Sequence, residues 1–238
     1  MPSQIHLGDI AVDVIRKDIK NVHLSIHPPT GRVRIAAPER MSVDTIRVFA
    51  IAKLGWIKRH QKKFREQERE TPRDYLERES HYLWGRRYLL SLVEEEAAPA
   101  IQLRHNRLVL RVRPGTNKDL KEAILYKWYR ERVREAAPPM IEKWQRLMHI
   151  SVENFFVQRM KTKWGSCNDE RRTIRLNSEL AKKPRECLEY IVVHEMVHLF
   201  ERTHNQRFIA LMDQFMPKWE SYRENLNRLP VRHEEWWY

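Results

Sequence analysis

The strongest chemical signal in this 238-residue chain is His194-Glu195-Met196-Val197-His198, two histidines flanking a glutamate at helical spacing. Residues four apart on a helix stand one turn apart on one face, so both imidazoles can hold one metal ion. Glu195 projects about 100° away from His194, close enough to address a water on that ion without being a ligand. For a chain with 11 histidines, chance supplies this pattern ~0.05 times per chain. His204 follows six residues after His198, and requiring it there lowers the chance figure to roughly 0.002. A continuing helix would carry His204 about 240° round from His198, on the wrong side, so the chain has to turn between them. Thr203 and Gln206 form a T-x-x-Q capping box ahead of Phe208, Ile209, Leu211 and Met212, which predicts a new helix from Thr203 with His204 in its first turn. Three histidine ligands leave the fourth position of a zinc ion open, as in catalytic rather than structural sites, with one Zn2+ per chain. The expected chemistry is amide hydrolysis: water on the ion gives its proton to Glu195 and attacks a carbonyl polarised by the same ion. A competing third ligand is a glutamate from a later helix, Glu220 or Glu224.

The element that positions the motif is a helix opened by Pro184 and apolar almost all round (Cys187, Leu188, Ile191, Val192, Val193, Met196, Val197, Leu199, Phe200), hence buried. An ionised Glu195 in such surroundings requires a cation nearby. Upstream, Val152 to Met160 and Thr173 to Leu176 read as strands, and Asn117 to about Met148 as a helix with a kink or restart at Pro138 and Pro139. Two hairpins are expected around Gly85 and Asn106. The alternating runs Ile10-Val14, Val22-Ile26 and Val33-Ile35 predict a small antiparallel sheet, followed by a helix from Ser42 to about Glu70, interrupted at Gly55. Pro114 and Gly115 suggest the division 1–116, a basic β-rich domain with one long helix, and 117–238, the domain bearing the metal motif. No internal repeat is legible at any useful period.

Composition bounds these readings. At 42% hydrophobic, with only 6 Gly, the chain can bury a core and is neither disordered nor collagen-like. No segment reaches the length of a membrane span, the start lacks the layout of a signal peptide, and two cysteines are too few for a disulfide framework, so a cytoplasmic protein without membrane association is expected. The net charge of +13 points to an anionic partner such as nucleic acid. Residues 1–150 hold 30 Lys and Arg against 19 Asp and Glu, whereas residues 151–238 hold 15 against 13. The segment Arg47 to Arg69, with Trp56, His60 and Phe64 among its cations, supplies the candidate nucleic-acid contacts Lys58, Arg59, Lys62 and Lys63.

Beyond the histidines, the chain carries Arg159, Trp164-Gly165-Ser166-Cys167, Ile174, Leu176-Asn177, Leu180, Pro184, Val192-Val193-His194-Glu195, His198, His204, Phe208, Pro217 and Trp219. In these motifs it resembles the YgjP-like zinc metallopeptidases, which are related more distantly to the SprT-like and WLM metallopeptidases. The resemblance implies an α+β, minimal zincin-like domain with the HExxH helix, zinc on His194, His198 and His204, and Glu195 as general base. Glu201 stands where metzincins have glycine, which disfavours a true metzincin. Trp164, Gly165, Ser166 and Asn177 are candidate substrate-binding residues, in a turn and a strand whose edge could pair with an extended peptide. A tight turn around a packed indole is the plainer reading of the first three. Cys167 has no neighbouring base in sequence and is not expected to act as nucleophile or ligand. A protein or peptide substrate follows from the enzyme reading. The alternatives are a DNA-linked protease, by analogy with the SprT-like and WLM families, and a DNA-binding module whose zinc is not catalytic.

Overall fold

The computed structural model describes residues 3–27, 31–66, 73–160 and 163–230. Trp236-Trp237-Tyr238 and the end of the basic segment lie outside the described residues. The chain forms two compact units, Met1–Pro72 with Arg228–Tyr238, and Arg73–Asn227.

In the first unit, β1 (Ser3–Leu7), β2 (Ile10–Lys17), β3 (His23–His27) and β4 (Arg32–Pro38) form a sheet of order β1-β2-β4-β3. The sheet is mixed rather than antiparallel, because β2 and β4 run parallel. Alternation along both strands buries Val12, Val14, Val33 and Ile35. Two helices supply the rest of this core, α1 (Val43–Ala52) through Ile46 and Ala50 and α2 (Leu54–Glu66) through Ile57. Ser42 caps α1 by accepting from the Thr45 N–H at 3.1 Å. The break between the helices falls at Lys53, two residues before the expected Gly55.

The second unit opens with β5 (Ser80–Leu83), β6 (Arg86–Glu94), β7 (Ala100–Arg104) and β8 (Arg107–Val112), in the order β5-β6-β8-β7 with β6 parallel to β8. Both four-stranded sheets therefore share one topology, a repeat that different side chains conceal in the sequence. The expected boundary at 116/117 lies inside the second unit. Its cause is packing: the Trp84 N–H bonds to the Ala181 carbonyl at 2.7 Å, and a Cβ on Gly85, whose φ is +78°, would sit 3.0 Å from Pro184 Cγ. The hairpin is thereby tied to the segment leading into the motif helix, and Pro114-Gly115 is only a turn.

Helix α3 (Lys118–Met148) runs unbroken through Pro138 and Pro139, against the expected kink. Both prolines lie on the exposed face, so the Arg134 and Glu135 carbonyls they leave unbonded can be hydrated. The buried stripe Leu125, Tyr129, Val133, Ala137, Ile141, Trp144 and Met148 holds the helix together on both sides of them. Then follow β9 (Asn154–Gln158), β10 (Gly165–Asn168) and β11 (Thr173–Asn177), a sheet of order β10-β11-β9, and a 3-10 turn over Ser178–Lys182. Helices α4 (Arg185–Val197), α5 (Gln206–Phe215) and α6 (Trp219–Arg228) complete the unit. Pro184 is the N-cap of α4 rather than its first residue. Leu188, Val192, Val193, Met196 and Val197 on α4 are fully buried, each contributing about 1.5–3 kcal/mol through removal from water. No helix among the described residues is long and apolar enough to cross a membrane.

Candidate metal centre

Helix α4 ends at Val197, so His194 sits in its last turn and His198 is its C-cap. The chain then turns over residues 198–205 and brings His204 back: its Nε2 lies 3.0 Å from His194 Nε2, and ligating atoms of His194, His198 and His204 all lie within 4.8 Å of one another. Beneath the three rings lies Phe208, 2% exposed, with its centroid 5.0, 4.8 and 4.7 Å from those of His194, His198 and His204. It is the plate on which the cluster is assembled.

The turn is built differently from the expected capping box. Asn205, not Thr203, caps α5, accepting from the Phe208 N–H at 3.0 Å, and His204 precedes the helix rather than lying in its first turn. Thr203 instead turns back on the preceding residues, its N–H and hydroxyl donating to Glu201 Oε1 at 3.1 and 3.0 Å. Glu201 also holds a histidine: its carbonyl lies 3.0 Å from His198 Nδ1. A carbonyl only accepts, so Nδ1 carries the proton and Nε2 keeps its lone pair for a ligand. Arg202 pairs with Asp169, whose carboxyl is held below its ordinary range, and ties the turn to the loop after β10.

Glu195 is buried, 5% exposed, on the same cleft as the three histidines, and among the described residues its carboxylate has no hydrogen bond or ion pair. Burial raises its pKa to about 8, with Lys163 opposing. Burial likewise lowers the His194 pKa to about 3, assisted by His198 and His204, so the ring stays neutral at physiological pH. The cleft, about 670 Å3, is walled by Trp164, Gly165, Ser166 and Cys167 on one side and by Tyr190, Arg223 and Leu226 elsewhere.

Gly165 is not a turn residue. It lies in β10, buried, where a Cβ would fall 2.5 Å from Glu195 Oε1 and 2.8 Å from its Cγ. Glycine is required because the carboxylate lies against the strand backbone. Asn177, expected to meet substrate, does not line the cleft: it is 4% exposed and its amide is spent on the backbone. Its Nδ2 donates to the Met160 and Lys163 carbonyls, both at 2.8 Å, and its Oδ1 accepts from Met160 and Glu179 N–H groups. Its role is to hold the segment that enters β10. The expected peptide-binding edge also moves, since β11 is the central strand and β10 the free edge beside Glu195. Burial, then Glu195, push the Cys167 thiol up to about 12, and the residue lies outside the histidine cluster. Glu220 and Glu224 are not in that cluster either, and Glu220 pairs with Arg223 at 3.2 Å. Phe208 and Arg223 are the residues local reading missed as site residues. Lys58, Arg59 and Lys62 lie on α2 in the first unit, where all three are exposed; the Lys63 side chain lies outside the described residues.

Three imidazoles and a buried glutamate on one cleft define a protein equipped to hold a metal ion beside a carboxylate. The chain belongs to the YgjP-like metallopeptidase family, whose domain model matches residues 20–229. Comparison with curated proteins gives no match. Among solved structures, the metallopeptidase zymogen abylysin of Pyrococcus abyssi is similar, with TM-score 0.35 and 17% identity over 37% of this chain and 89% of that one. The metallopeptidase zymogen jannalysin of Methanocaldococcus jannaschii is similar with TM-score 0.32 and 19% identity over 40% of this chain and 92% of that one.

Proposed function

We propose that the protein is a zinc-dependent endopeptidase in which His194, His198 and His204 hold one zinc ion and Glu195 is the general base. The observation that carries this is the convergence of three histidine nitrogens beside a buried carboxylate that, among the described residues, makes no ion pair. The donors suit zinc: imidazole is a preferred ligand, and the 3.0 Å between the His194 and His204 nitrogens is near the ~3.3 Å edge of a tetrahedron with zinc–nitrogen bonds of about 2.05 Å. Two imidazole lone pairs facing each other at that distance repel unless a proton or cation lies between them. When bound, zinc supplies a water of lowered pKa and polarises the scissile carbonyl.

The chain's residues do the rest. Glu195 accepts the proton of the attacking water and passes it to the nitrogen of the departing amine. A cation on the three histidines counteracts the burial that raises its pKa, so it is ionised when needed. Glu201, through its carbonyl, fixes the His198 tautomer. An extended segment of protein substrate adds to the free edge of β10, past Trp164, Gly165 and Ser166, which brings its carbonyl to the cleft. The free thiols of Cys167 and Cys187 accord with a cytoplasmic setting. Metal analysis tests the reading: the purified protein carries one zinc per chain, and His198→Ala removes it. Zinc content unchanged in that variant would refute the ligand assignment.

The exposed Lys58, Arg59 and Lys62 on α2 favour an extension of this reading, a protease brought to its substrates by DNA, over a DNA-binding module with a non-catalytic zinc. A structural site would use a fourth protein ligand, and among the described residues the cluster holds three.

A further inference from the structure

We propose that a second cleft in the same unit, between α3 and β9, binds single-stranded nucleic acid, taking a base against Phe156 and the neighbouring phosphates on Arg130, Arg134 and Arg175. The cleft has a volume of about 430 Å3, within the range of small-ligand sites and large enough for a nucleotide. It is separate from the histidine cleft: β9 is the edge of the three-stranded sheet opposite β10.

The side chains are brought together by regular geometry. Arg130 and Arg134 are four apart on α3 and share one helix face. Arg175 and Phe156 are direct partners in the parallel β11–β9 register, so both project from the same sheet face. Phe156 is 52% exposed, whereas its neighbours Phe155 and Val157 are half-buried. Among the described residues, no acidic side chain lines the cleft. Among the described residues, Arg130 and Arg134 have a single carboxylate between them, Glu131, at the long distances of 3.6 and 3.8 Å. Arg130 Nε is buried without a hydrogen-bond partner, and among the described residues the Arg175 guanidinium has no ion pair.

These features select the ligand. Under-neutralised guanidinium groups call for anions with several acceptor oxygens, and phosphate matches their planar fork. An acidic peptide would meet that demand but leave the aromatic face unused, whereas a nucleotide offers both a phosphate and a base that stacks on phenylalanine or arginine. In a duplex the bases are already stacked on one another, so only an unpaired strand can present one to Phe156.

The test is fluorescence anisotropy on the full chain with a labelled oligothymidylate of about 12 nucleotides, with the matching duplex and poly-glutamate as competitors. The single strand should bind at low salt and be displaced poorly by either competitor. Phe156→Ala, at a half-exposed position, should weaken binding roughly 10- to 100-fold by removing one stacking contact. Arg130→Ser with Arg134→Ser should reduce the slope of log affinity against log salt by about 1.4, two phosphate contacts at ~0.7 each. Arg134→Glu, at a side chain 65% exposed, and Phe156→Trp, which should preserve binding, keep the test decisive if another variant folds poorly, as judged by thermal melting. The proposal is overturned if the wild type does not bind, if duplex or poly-glutamate competes equally, or if the cleft variants bind normally while neutralising Lys58, Arg59, Lys62 and Lys63 abolishes binding.

Discussion

Replacing Gly165 with alanine should disable the protein without emptying its metal site. The new Cβ would stand 2.5 Å from Glu195 Oε1, 2.8 Å from Cγ and 2.9 Å from Cδ. Comfortable non-bonded separations are about 3.5–4.0 Å, so the overlap is about 1 Å. The strand cannot retreat freely, because Gly165 is buried and paired with Leu176 on β11. Nor can α4, whose Val193, Met196 and Val197 are fully buried. The Glu195 side chain must therefore give way and move its carboxylate by about 1 Å, a displacement that costs on the order of 100-fold in rate. Overpacking of this kind also destabilises by about 1–3 kcal/mol, which at ~2–4 °C per kcal/mol for a chain of this size lowers Tm by roughly 2–12 °C. The assay is cleavage of denatured casein by zinc-loaded enzyme, alongside zinc content and a thermal melt. Zinc should remain stoichiometric, because the three atoms nearest the new methyl group all belong to Glu195 and none to a histidine. Adding Gly165→Ala to Glu195→Gln should cost little further activity, since the base whose position the methyl disturbs is already lost. Near wild-type cleavage by Gly165→Ala, or loss of zinc with retained fold, would refute the steric reasoning.

His204→Ala should reduce zinc affinity strongly, whereas Glu220→Ala and Glu224→Ala leave it unchanged; isothermal titration with zinc decides which residue completes the set. Asn177→Ala should lower stability by about 1–3 kcal/mol, seen in urea unfolding, because it removes the buried amide that bonds the part-buried carbonyls of Met160 and Lys163 and the N–H groups of Met160 and Glu179. Neutralising Lys58, Arg59, Lys62 and Lys63 together should leave zinc content and casein cleavage near wild type. It should weaken any duplex-DNA binding in an anisotropy assay with a flatter salt slope. Loss of zinc in that variant would show that the first unit supports the catalytic one.

What could be read from the sequence was local. The i, i+4 spacing of His194 and His198, the need for a turn before His204, the hairpins at Gly85 and Asn106 and the cap at Ser42 each depend on residues a few positions apart. Contacts across long separations were not legible. Gly165 reads as a turn glycine until Glu195, thirty residues later, is seen lying against it. Asn177 looks like an exposed polar end of a strand, yet it is buried beneath the segment that enters β10. The division between units was misplaced because Pro114-Gly115 signals a turn whatever lies on either side, whereas the contacts of Trp84 and Gly85 with Ala181, Lys182 and Pro184, which tie the earlier hairpin to the segment leading into α4, span about a hundred residues. The prolines of α3 point away from the core, a fact set by its packing stripe rather than by their identity. The parallel pairings of β2 with β4 and of β6 with β8 likewise depend on crossovers that alternation along each strand does not encode.

The most direct test of the central claim is cleavage of an unfolded protein by wild type and Glu195→Gln, both prepared with one zinc per chain. Gel-resolved hydrolysis of denatured casein should proceed in the wild type, stop on chelation and return with zinc, while Glu195→Gln keeps its zinc and falls by about 10²–10⁴-fold. Equal cleavage by the two proteins, or none by the zinc-loaded wild type across a panel of unfolded substrates, would contradict the account.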